Sequence, residues 1–336
     1  MSLIERALFS NIGIFIGRYS RKLISLGLAL GTFGLLGFLI IRDWGTLKQS
    51  QWHLRPSLLI LALSCHAVSL AGTFIVWKLI MHYLGSPVRI KTDFHIFFLS
   101  LAAKKIPSAI WYTGTRLFLY AQEGVSVSLV LSAIVLEFGI AFLTGGLVFI
   151  AFWKRYLFIK EDLIWVVRVF LALTLFLPSL FLLRPRLFTS WIQRSKPAQR
   201  YHFVFSTFPG SGKLLICAAI YLVAWIVGGT SFYLTIWAFI PNSGINWSNA
   251  IGIATLSTLI VLISTVLPTG TGLKELTAGI LLSNWLPIPV GMSIAVAYRI
   301  LQMIDEAFWV GLAYFLRPKT LEHSNSAFDY PKEVLR

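Results

Sequence analysis

A polytopic all-α bundle of membrane-spanning helices is predicted from composition, from long apolar runs, and from two interruptions set among those runs. Of 336 residues, 57% are hydrophobic and only 12% charged, and the mean hydropathy is +0.78. Soluble domains carry roughly 25% charged residues, so a water-soluble enzyme is excluded. The interruptions are Ile106-Pro107…Gly114-Thr115-Arg116 and Leu267-Pro268-Thr269-Gly270-Thr271-Gly272-Leu273-Lys274-Glu275. Each breaks an apolar run with Pro and Gly, sets a cation in the break, and precedes another apolar run. Irregular backbone and charge at membrane depth persist only where protein or a water-filled cavity surrounds them.

A span requires about 20 apolar residues. Taken in order, residues 23–41, 57–80, 127–153, 163–183, 214–240, 247–267 and 289–316 meet that requirement. Residues 94–103 are too short to span and end at Lys104-Lys105, before the first break. Residues 276–286 follow the second break, end at Pro287 and are also too short. Each reads as half of a re-entrant hairpin or a partial helix, for about seven to eight spans with two interrupted elements. The domain reading is a basic cytoplasmic segment at 1–22, a transmembrane domain at 23–316, and a polar tail at 317–336.

The formal net charge is +16. The cations flank apolar runs, where Lys and Arg set topology and meet anionic headgroups, and no nucleic-acid recognition module accompanies them. Nucleic acid is therefore not an expected partner. Residues 184–213 hold Arg184, Arg186, Arg194, Lys196, Arg200 and Lys213 with no acidic residue, the strongest cytoplasmic anchor. Residues 241–246 carry no charge and belong on the opposite side. Residues 23–41 are too long for a signal-peptide core and read as an uncleaved span, which places the protein in the inner (plasma) membrane.

The polar loop divides the chain into comparable halves. Pro107 to Glu137 and Pro268 to Arg299 are nearly equal separations, and Thr113-Gly114-Thr115-Arg116-Leu117 echoes Thr269-Gly270-Thr271-Gly272-Leu273. A degenerate internal repeat is a possible reading, in the arrangement that transporters build around a midplane site.

At the second break, Pro268 stops a helix while Gly270 and Gly272 allow conformations that other residues resist. Two readings stand for Lys274 and Glu275: a phosphate cradle at a helix N-terminus, or an interfacial turn with a snorkelling lysine. The first break offers Pro107, Gly114 and Arg116. Its Arg116 is either a bidentate phosphate ligand or a flanking charge. Trp111 fits the aromatic belt of a membrane interface. Glu137 lies about ten residues into its apolar run, where a lone carboxylate would cost about 2.5–3.5 kcal/mol. Arg299 lies at similar depth in the last span, so a buried Glu137–Arg299 pair is expected, serving either helix packing or substrate and proton coupling. His66 reads as a packed polar residue, and Cys65 and Cys217 as small buried hydrophobes.

Pro209-Gly210-Ser211-Gly212-Lys213 fails as a phosphate loop, having Thr207 for the first glycine and Leu214 after the lysine. No Cys/His cluster has metal-ligand spacing, no Gly-x-Ser-x-Gly elbow is present, and no catalytic residue, metal or cofactor is expected. The first outer loop offers Asp43 alone, which argues against a membrane glycosyltransferase.

At the two breaks the chain resembles the flippase-like family named for the membrane domain of lysylphosphatidylglycerol synthase. Its first pattern, Pro-Gly, Trp, then Gly-x-x-Arg or Gly-Arg and a Glu within a span, is matched by Pro107-Ser108, Trp111, Gly114, Arg116 and Glu137. Its second, Pro-Gly-Gly-x-Gly-x-Arg-Glu and then a span with an Arg, is matched by Pro268 to Glu275 and Arg299. The departures are Ser108 and Thr269 for glycines and Lys274 for arginine, which keeps the charge without the fork. The resemblance covers about residues 94–316. It implies the lipid-translocating half without the aminoacyl-transfer chemistry and leaves the substrate open; a polar, anionic membrane lipid is expected from Arg116, Lys274 and Arg299 at the two breaks. The same residues also admit a non-catalytic partner of a lipid- or glycan-modifying enzyme of the cell envelope, docking through 184–213, or a membrane-embedded transferase.

Overall fold

The computed structural model describes residues 38, 42, 44–50, 52–103, 110–152, 209–264 and 272–316. The expected spans 23–41 (apart from Phe38) and 163–183, the segments 1–22 and 317–336, and Pro107, Pro268 and Gly270 lie outside them. The described residues form nine helices and no strand. These are α1 (Trp44–Gln49), α2 (Pro56–Tyr83), α3 (Ile90–Ala103), α4 (Ile110–Gln122), α5 (Val127–Phe152), α6 (Ser211–Phe239), α7 (Trp247–Ser264), α8 (Leu273–Leu282) and α9 (Ile288–Phe315).

Four of these, α2, α5, α6 and α9, are long and apolar enough to cross a membrane. With 26 to 29 residues each, they reach about 40 Å at 1.5 Å per residue, more than the ~30 Å hydrocarbon core. Pro56 opens α2 at its first turn, where a missing N–H is harmless. Past its end Gly85 takes φ +85° and turns the chain. The run expected to span at 247–267 is helical as α7 over 18 residues, shorter than the four long helices. It joins α8 as one arm of an interrupted element, as α3 joins α4.

Small residues set the centre of the bundle, where α2 and α6 pack antiparallel. Ser69 Oγ donates to the Ala224 carbonyl at 2.8 Å and Ser231 Oγ to the Ala62 carbonyl at 2.7 Å. A Cβ on Gly72 would lie 3.3 Å from that of Ala224. Further along, the Lys213 ammonium sits 4.9 Å from the Tyr83 ring centroid. Between apolar helices in lipid, close backbone approach and interhelical hydrogen bonds drive association.

Around this axis each half repeats one plan, namely a long helix, two short helices about a break, and a long helix. Exchanging α2 with α6, α3 with α7, α4 with α8 and α5 with α9 preserves every helix–helix packing partner apart from that of α1. For example, α5 packs on α7 as α9 packs on α3. With α2 and α6 antiparallel, the two halves form an inverted repeat. The internal repeat expected from the spacing of the breaks is therefore a feature of the fold.

Candidate functional site

The two breaks carry two ion pairs of opposite polarity. In the first half, the short helix α4 supplies the cation and α5 the anion. Arg116 Nη1 donates to Glu137 Oε2 at 2.6 Å. Its Nε donates to Ser100 Oγ at 3.0 Å. The guanidinium lies 3.8 Å from the Trp77 ring centroid, 4.4 Å from that of Tyr112 and 4.8 Å from that of Phe97. Arg116 has no exposed surface. Tyr221 donates to the other Glu137 oxygen at 3.5 Å. A delocalised, weakly hydrated cation suits such an aromatic enclosure better than an ammonium would.

A second network holds the same helix. Trp77 Nε1 donates to the Tyr120 hydroxyl at 2.8 Å, and that hydroxyl donates to Asp93 Oδ1 at 2.7 Å. Lys78 pairs with the other Asp93 oxygen and donates to the Val88 carbonyl. Lys78 and Asp93, like Arg116 and Glu137, thus neutralise each other, as burial in lipid requires.

In the second half the polarity is reversed, since α8 supplies the anion and α9 the cation. Glu275 Oε1 lies 3.7 Å from Arg299 Nε. Glu275 is buried, whereas the Arg299 side chain is 34% exposed, so one partner of this pair reaches the protein surface. Lys274 Nζ donates to Gln302 Oε1 at 3.1 Å and sits 5.4 Å from the Tyr298 ring centroid. Gly272 caps α8 with φ +89°, a left-handed conformation that a side chain would resist. Glu275 in the first turn also complements the positive end of the helix dipole. Ser257, Lys274, Glu275, Tyr298, Arg299 and Gln302 line a narrow crevice.

Two expectations are corrected. Glu137 does not pair with Arg299: each finds its partner on the short helix directly before its own span. The reason is topological. The short helices pack on the spans that follow them, and Glu137 and Arg299 have different surroundings, Glu137 beside Tyr221 in one core cluster and Arg299 beside Tyr298 in another. The second correction concerns Gly114. It lies inside α4, in the second turn of a continuous helix, and does not interrupt it. Trp111 is also in α4.

Lys274, Glu275 and Arg299 thus meet at one crevice, with Gly272 at the start of α8. Arg116 and Glu137 meet elsewhere, in a filled interior. The sequence reading missed Gln302 and Tyr298, which complete the crevice, and Trp77, Ser100 and Tyr221, which complete the Arg116 site. Tyr298 and Gln302 are four residues apart on α9, one helical turn, and that spacing was the available signal.

The chain matches no curated protein. It does match the family model of the Lysylphosphatidylglycerol synthase TM region over residues 23–305, most of its length. On that match, and with its bundle of long apolar helices, the protein belongs to the family of the lysylphosphatidylglycerol synthase transmembrane region and is a helical membrane protein.

Proposed function

We propose that the protein moves a polar, anionic lipid between the leaflets of the inner (plasma) membrane. The observation that carries this reading is the crevice where Lys274 and Arg299 stand beside the start of α8. Arg299 is held there by a loose contact, 3.7 Å to Glu275, and Lys274 donates to Gln302 at 3.1 Å. A headgroup phosphate would replace such contacts at little loss, since charge-assisted hydrogen bonds to phosphate are about twice as strong as neutral ones. First-turn N–H groups and the helix dipole at Gly272 favour the same anion. Glu275 keeps Arg299 oriented between visits by lipid.

Arg116 has a different task in this reading. Paired with Glu137 and enclosed by three rings, it anchors α4 as a rigid arm. The inverted repeat supports alternating access, with one half rocking against the other about α2 and α6.

The test is leaflet exchange of fluorescent phosphatidylglycerol, phosphatidylcholine and a polyprenyl phosphate in proteoliposomes. Exchange of the anionic lipids is expected, falling at least about tenfold in Arg299→Gln and Lys274→Gln, the loss of one charge-assisted contact each. Equal exchange by wild type and both variants would remove the crevice from the mechanism.

A further inference from the structure

The inverted repeat has a definite register. Ser69 donates to the Ala224 carbonyl and Ser231 to the Ala62 carbonyl, and one interval along the chain carries Ser69 to Ser231 and Ala62 to Ala224. The same interval carries Glu137 to Arg299, so these opposite charges hold equivalent places on α5 and α9. In the short helices it sets buried Tyr120 against buried Leu282, and exposed Phe118 against exposed Ile280. One register thus relates the halves from the central axis out to both short helices.

In this register Ala278 stands where α4 has Arg116, and Lys274 where α4 has Tyr112. Both exchanges follow the reversed polarity of the two halves. In the first half the anion of the span, Glu137, is met by the Arg116 guanidinium at 2.6 Å, with the Tyr112 ring 4.4 Å from that cation. In the second half the span supplies a cation, Arg299, and the side chain opposite it ends at the Ala278 Cβ. Lys274 takes the place of the ring. Ala278, Lys274 and Arg299 all line the crevice.

Glu275 reaches Arg299 from one turn earlier, at 3.7 Å. A separation of 2.6 Å is a charge-assisted hydrogen bond, whereas 3.7 Å lies beyond one. Arg299 therefore lacks, from its own short helix, the close partner that Glu137 has. The crevice is narrow because Gly279 and Gly291 stand where the first half has Leu117 and Leu129. A Cβ on Gly279 would fall 2.5 Å from Met292 Cγ, so α8 lies tightly on α9. Such a space suits one oxygen of an oxyanion, with the rest of the group at the mouth.

We infer that Ala278 selects what the crevice binds: its short side chain leaves, beside Arg299, the place that Arg116 fills beside Glu137, and an oxygen of a phosphate or similar oxyanion takes it. Lys274 adds its charge from the Tyr112 position while keeping its bond to Gln302. A cationic group in the same place would meet like charge from both Arg299 and Lys274, so the selection is for anions. That the oxyanion belongs to a lipid headgroup rests on the translocation reading above. The place itself does not.

The full chain with Cys65→Ala and Cys217→Ala, carrying Ala278→Cys, in lipid nanodiscs provides the test. A thiol is little larger than the methyl group it replaces, so the crevice keeps its shape. In phosphatidylcholine discs a sulfonate-bearing methanethiosulfonate is expected to react at least about tenfold faster than its trimethylammonium counterpart, each relative to free cysteine. Phosphatidylglycerol in the disc is expected to slow the sulfonate reagent about tenfold, and Arg299→Gln to remove that protection. Equal rates for the two reagents, no labelling by either, or protection unchanged by Arg299→Gln would overturn the assignment. So would an absence of protection by both phosphatidylglycerol and inorganic phosphate. Protection by inorganic phosphate alone keeps the oxyanion place and retires the lipid reading. A second variant reads selection directly. Ala278→Met is expected to bind phosphatidylglycerol vesicles at least about tenfold more weakly, whereas Ile280→Met on the exposed face binds as wild type. Undiminished binding by a folded Ala278→Met would also overturn the assignment. Leaflet exchange is measured separately, and protection without exchange retires translocation alone.

Discussion

Arg116 and Glu137 meet at 2.6 Å with the guanidinium enclosed by Trp77, Tyr112 and Phe97. Such a pair is destabilising to halve and tolerable to remove. Arg116→Met is expected to lower stability by about 3–5 kcal/mol by stranding the Glu137 carboxylate. Arg116→Met with Glu137→Met is expected to recover most of that loss. Thermal unfolding in detergent separates the cases, and a double variant no better than the single would assign the pair more than charge neutralisation.

The Glu275–Arg299 pair behaves differently because one of its partners reaches the protein surface. At 3.7 Å with Arg299 34% exposed, its contribution to stability is expected to stay under about 1 kcal/mol. Glu275→Gln and Arg299→Gln should therefore unfold close to wild type. Arg299→Gln should lose anionic-lipid exchange while Glu275→Gln retains anion binding. A large drop in melting temperature for either would make this pair structural, like the first.

Lys274 contributes a point charge where a guanidinium would contribute a fork. Lys274→Arg is expected to bind phosphatidylglycerol as tightly as wild type or tighter, since the fork accepts two phosphate oxygens. Lys274→Gln is expected to bind about tenfold more weakly. Equilibrium binding to vesicles at fixed salt gives both values, and equal affinities across the three would exclude Lys274 from the headgroup site.

Close packing of α8 on α9 holds the crevice in shape. A Cβ on Gly279 would fall 2.5 Å from Met292 Cγ and 3.1 Å from its Cα. Gly279→Ala is expected to cost about 1–3 kcal/mol as overpacking. Met292→Ala in the same chain should restore only part, because the Met292 backbone remains in the way. Full restoration would show that the side chain alone sets the approach.

Much of the architecture was legible along the chain. The runs at 57–80, 127–153, 214–240 and 289–316 became α2, α5, α6 and α9 nearly end for end, because insertion depends on local hydropathy. Gly272 at the start of α8 was legible too, since glycine acts on its own turn of backbone. The first break was read as too long: Gly114 and Arg116 belong to α4, where one glycine in a helix is a small penalty that packing overrides.

Pairing was not legible. Glu137 and Arg299 sit at similar depth and carry opposite charge, and nothing local distinguishes a partner on the other span from one on the preceding short helix. His66 next to Cys65 gave no sign of Asp305 or Gln302, more than 230 positions away.

Taken by itself, the sequence determined the membrane class and the long helices, because each depends on side-chain chemistry summed over a few turns. Tertiary structure alone decided that Arg116 is sealed among aromatic rings while Arg299 stands open at a crevice. It also decided that His66 meets Asp305 and Gln302. Those outcomes depend on which helix faces meet, and the antiparallel packing of α2 on α6 sets that for both halves together.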